Sequence, residues 1–282
     1  MNKRFIYIPM KNFIANKLFL LLILCFPIIY NACKKDNSNT PPPLPPQSSF
    51  IIDFSDFSSG LTGSIPQSTL KSTESLTNYQ VAALAVTYWS TVLYLNSAIP
   101  IACFKEAFNH NGTYLTTNTW EWKYNLTIGA SSITTRLQAK LLTDSIQWKM
   151  FVSVSGDSLS ITDFVWLTGT SSLARTGGNW TLNESPSLPI PLFSIIWTRK
   201  NDMIGSVQYT YVKPDETATD NYIKFGTKDT SVTYNVYYIL HKERPLTFDT
   251  KIEWNSITKA GRYNDINGLH CWDSGKLNAS CN

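Results

Sequence analysis

The chain has 282 residues, 43% of them hydrophobic and 13% aromatic, with 9 Trp and 14 Tyr, enough apolar mass for a real core and a leaning toward β-structure. Its formal charge of +4 arises at Lys3, Arg4, Lys11 and Lys17; the 24 basic residues less these four equal the 20 acidic ones. A balanced chain has no basic surface to displace nucleic-acid counterions and no long-range attraction to anionic lipid, so nucleic acid is excluded as a partner.

The four cations precede an uncharged core of about 13 residues within Leu18 to Lys35, LFLLLILCFPIIYNACKK. That length suits a secretory signal and is too short for a bilayer span. The core ends at Ala32-Cys33, a small residue before a Cys, with Tyr30 where Leu is usual. Cys25 follows Leu24 and competes poorly. The pattern resembles the lipobox of bacterial, Bacteroidetes-type lipoproteins. The resemblance implies removal of residues 1–32, acylation of Cys33 with palmitate-like chains, and an outer-membrane anchor, with the face of the membrane left open. Lys34-Lys35-Asp36 is similar to the export signal of surface lipoproteins in that group.

Residues 34–49 are Pro-rich and predict a semi-rigid extended tether, followed by one domain over 50–282. FIIDFSDF, residues 50–57, reads as a first strand or an extended arm. Its Asp53 and Asp56 suit turn or edge positions, since no partner base is in view. Residues 58–76 read as loop.

A helical segment is expected near 77–108. Thr77 to Gln80 matches a capping box. Val81, Leu84, Ala85, Tyr88, Val92 and Leu95 form one stripe, widened by Val86, Trp89 and Leu93. Pro100 predicts a stop or restart, with a short second helix to Phe108. No charge occurs from Ser75 to Phe104, so the helix is expected to be buried nearly all round.

From Trp120 the period becomes two. Trp120, Trp122, Tyr124 and Leu126 share one face, as do Ile133, Thr135, Leu137 and Ala139, and then Trp148, Met150, Val152 and Val154. Further strands are expected at 161–168, 178–183, 193–199, 204–212, 221–226, 231–241 and 247–255. The fold class is therefore mainly β (α+β): a large curled antiparallel meander or half-barrel, with the long apolar helix on its concave face. This layout is similar to the half-barrel of periplasmic lipoprotein carriers and, more distantly, to lipocalin-like barrels, on architecture alone.

Cys271 and Cys281 close a short loop and are the preferred disulfide; three buried thiols, with Cys103, are the alternative. No Cys or His spacing suggests a metal, and no cofactor is expected. Gly156-Asp157-Ser158-Leu159 resembles the nucleophile block of GDSL-type esterases. Ser158 with His270 is a remote catalytic pair, and a hairpin turn accounts for the same residues. Tyr88, Trp89, Trp122 and Trp148 are the candidate ligand-facing aromatics, though strict alternation also suits core. Tyr237 and Phe151, on the opposite face of their strands, are candidates for exposed contacts. The functional expectation is an envelope-anchored, non-enzymatic binding or structural protein with a glycan or protein partner. The alternative is a carrier of an apolar ligand held between helix and sheet.

Overall fold

Among the described residues the chain forms fourteen strands: β1 (Thr113–Thr116), β2 (Thr119–Ile128), β3 (Ser131–Leu141), β4 (Ser145–Ser155), β5 (Ser160–Ser172), β6 (Gly177–Ser185), β7 (Leu188–Lys200), β8 (Met203–Tyr211), β9 (Tyr222–Thr227), β10 (Val236–Lys242), β11 (Phe248–Trp254), β12 (Gly261–Asp265), β13 (Gly268–Trp272) and β14 (Asn278–Ala279). Each pairs antiparallel with its sequence neighbour, so spatial order equals chain order. The sheet does not close: among the described residues β1 pairs with β2 and β14 with β13, not with each other. The computed structural model describes residues 40–58, 76–156, 160–200, 203–214, 217–242 and 247–281. Thr40–Asn282 forms one unit. The stretch expected to be a signal sequence and Cys33 lie outside the described residues.

Inward rows alternate large and small side chains. One runs Trp120, Ala139, Trp148, Gly169 and Trp180 across five strands. A Cβ at Gly169 would collide with the Trp180 ring, so only Gly lets the indoles meet across β5. The Trp148 and Trp180 centroids lie 6.4 Å apart.

Helix α2 (Asn78–Glu106) begins at the expected capping box: the Gln80 amide donates to Thr77 Oγ1 at 3.3 Å, and the Thr77 amide to Gln80 Oε1 at 2.8 Å. It does not stop at Pro100. It runs 29 residues and ends in a 3-10 turn at Ala107–Asn109. Nor is it buried all round: Tyr88, Tyr94 and Leu95 are 67%, 69% and 74% exposed. Its buried residues are Tyr79, Ala82, Ala83, Val86, Leu93, Ser97, Pro100, Cys103 and Phe104. Small residues bring the helix close to an aromatic sheet, so packing clearance rather than hydrophobicity chose the face. No described helix is long and apolar enough to cross a membrane.

The stretch expected as tether is packed onto the domain from Thr40. Pro42 and Pro45 are buried, and Leu44 packs on the core. The chain continues as an arm through a 3-10 turn (Gln47–Ser49) to the short helix α1 (Ser55–Ser58), with Phe50, Ile52 and Phe57 buried in the main core. Along the arm Phe50, Ile52 and Phe57 are buried, Ile51 and Phe54 half-buried, and Asp53 and Ser55 exposed. Helix α2 returns across the same face: Asn78 Nδ2 donates to the Cys271 carbonyl on β13 at 2.8 Å, and the Tyr124 hydroxyl on β2 donates to the Cys103 carbonyl near its other end.

Candidate functional site

The concave face is filled by the chain itself. Inward phenols and indoles spend their donors on the arm: Tyr209 donates to the Phe50 carbonyl, Tyr238 to the Asp53 carbonyl, and Trp254 Nε1 to Asp56 Oδ2 at 2.7 Å. Phe50 meets Phe104 edge-on at 5.8 Å, and Phe57 meets Trp254 at 5.0 Å. Burial pushes the Tyr209 and Tyr238 hydroxyls well above the ordinary phenol range, so they remain donors.

The four ligand-facing candidates divide. Trp122 and Trp148 are 3% and 1% exposed members of this packed interior, and Trp148 Nε1 donates to Ser171 Oγ at 2.8 Å. Tyr88 and Trp89 line a groove of about 330 Å³ beside α2, with Leu240, His241 and Thr250 opposite. The structure therefore does not bring the four together.

Asp53 Oδ1 accepts from the Ser55 amide at 2.9 Å and caps α1, while Asp56 is fixed by Trp254 and the Lys259 ammonium. Each histidine stacks on a tyrosine and faces a carboxylate. His110 lies on Tyr124 beside Glu106, His241 on Tyr222 beside Asp249, and His270 on Tyr263 with Nε2 3.4 Å from Asp265. Ser158 lies outside the described residues. No group of three metal-ligating side chains occurs among the described residues. Cys271 and Cys281 are joined by a disulfide, and Cys103 is a buried thiol whose pKa burial pushes up to about 11.

The outer face carries two polar constructions. On β10–β12, Glu253 sits 6% exposed between Lys228 at 2.6 Å, Lys251 at 2.9 Å and Arg262 at 3.0 Å. Burial raises its pKa, but hydrogen bonds from the three cations outweigh that and hold it at about 2. Arg262 lies over Tyr234 at 4.7 Å and Lys228 over Tyr237 at 5.6 Å, so Tyr237 already has a cationic cover. Phe151 is covered likewise, by Arg136 at 4.5 Å and Lys149 at 4.9 Å.

The second construction is a groove of about 470 Å³ across the outer face of β2–β6, lined by hydroxyls, amides and two lysines. Sequence reasoning missed it: the polar halves of these strands mix Thr, Gln, Asn and Lys with Glu121, Arg136 and Asp163, as a solvated face does, and only the register brings the groove residues together. Comparison with protein-family models, curated proteins and solved structures found no match.

Proposed function

We propose that this is an envelope lipoprotein, anchored through Cys33, whose domain is a non-enzymatic binding module working through its outer surface. The observation that carries the reading is the occupied interior: Phe50, Ile52 and Phe57 fill the concave face where a carrier would hold its ligand. The anchor rests on the signal pattern. Pro42 and Pro45 are already buried, so the spacer ahead of the domain is shorter than the 34–49 stretch expected from the sequence.

Two measurements test this. Metabolic labelling with an alkyne fatty acid should tag the wild-type chain and not Cys33→Ser; an untagged wild type overturns the anchor. Organic extraction of the purified protein followed by mass spectrometry should release no stoichiometric apolar molecule. A lipid near one per chain would instead favour the carrier, for which the groove at Tyr88 and Trp89 is the supporting observation.

A further inference from the structure

We propose that the groove across β2–β6 binds an extended acidic polysaccharide, an assignment that rests on the reading of the domain as a surface-binding module. Its walls are two outward rows of side chains in register. Thr119, Lys140, Gln147, Thr170 and Asn179 are successive cross-strand partners on one side. Gln138, Lys149, Thr168 and Thr181 are successive partners on the other. The rows are two residues apart along each strand, about 7 Å; the first crosses five strands, about 19 Å, and the second four, about 14 Å, with Glu121 as the β2 partner of its first member Gln138. Backbone at Trp148 and Gly169 contributes to the floor.

Three features select the ligand. First, the walls repeat at the strand spacing of about 4.8 Å, so they present a ladder of equivalent groups to a polymer of similar repeat laid across the strands. Second, hydroxyls and amides both donate and accept, as sugar hydroxyls do. Asn179 is already oriented, its Nδ2 donating to Thr170 Oγ1 at 2.9 Å, and Gln138 Nε2 donates to Glu121 Oε2 at 2.8 Å, which leaves its carbonyl oxygen for a ligand. A peptide fits poorly, because the floor strands are already paired on both sides and the walls offer no apolar pocket. Third, the charge is one-sided. Lys140 and Lys149 make no ion pair among the described residues, and the carboxylate beside the groove, Glu121 at the end of the second row, is already paired with Arg136 at 3.2 Å. Two ammonium groups on opposite walls without a carboxylate partner, Lys149 also lying over the Phe151 ring, call for an anionic chain.

The test is retention of the detergent-solubilised full chain on immobilised polygalacturonate. Wild type should be retained, and Lys140→Met/Lys149→Met should not. The charge-neutral pair Gln147→Ala/Asn179→Ala should weaken binding about tenfold or more, the loss of two hydrogen bonds. Lys224→Met/Lys251→Met, on another part of the outer face, should leave retention unchanged. Circular dichroism should be the same for all, since every substituted side chain points outward. No retention of wild type, equal loss in the Lys224/Lys251 control, or an indifferent Gln147/Asn179 variant would each overturn the assignment. Fatty-acid labelling at Cys33 and the empty extract are read independently, so the surface-module reading can survive this failure or fall without it.

Discussion

A carboxylate buried on the outside of a sheet has to be neutralised, and Glu253 meets three cations. Its folded pKa, about 2, lies below the ordinary 4.5. The depressed value means its contribution is fully present above about pH 4.5 and is lost as pH falls toward 2. Urea melts across that window should therefore fall more steeply for wild type than for Glu253→Gln. At neutral pH the same substitution should cost about 1–3 kcal/mol, since three cations lose an ionised acceptor. Tyr209 makes the complementary case among neutral groups. Tyr209→Phe keeps the ring and strands the buried Phe50 carbonyl, and should also cost about 1–3 kcal/mol by denaturant titration.

Helix and arm form the filling of the half-barrel, and they differ in how readable they are. The capping box at Thr77 and Gln80 marks where α2 starts because it is local chemistry. Its buried face is not readable: with no charge on any side, Tyr88 and Leu95 look as suitable for burial as Val86 and Leu93, and only the aromatic sheet decides between them. Pro100 misleads for a similar reason, since packing of Cys103 and Phe104 beyond it holds the last turns in place. The arm is anchored by its rings. Phe57, packed on Tyr79 and Trp254, should lose about 3–5 kcal/mol as Phe57→Ala, read from the shift in urea midpoint. At the other edge, the Cys271–Cys281 disulfide closes a loop of sequence separation 10. Replacing both by Ser should cost about 2–3 kcal/mol in the same titration.

At the scale of the molecule, the meander was legible because the long strands such as β2, β3 and β4 repeat one rule, apolar in and polar out, with turn residues between. The short late strands β12 to β14 were not, since few residues cannot establish a period. The binding surface was not legible either: a groove made of two rows exists only once five strands are in register, and no linear motif encodes it. The order of the chain has one more consequence. The arm is the first part of the domain to be made, yet Phe57 packs on Trp254 and Trp272, about two hundred residues later. Hairpins can form as they appear, but the centre cannot close until β11 and β13 arrive. The chain thus stays unlocked for nearly its whole length during synthesis, the state that the proposed export would require, and it locks only once its last tenth has been made.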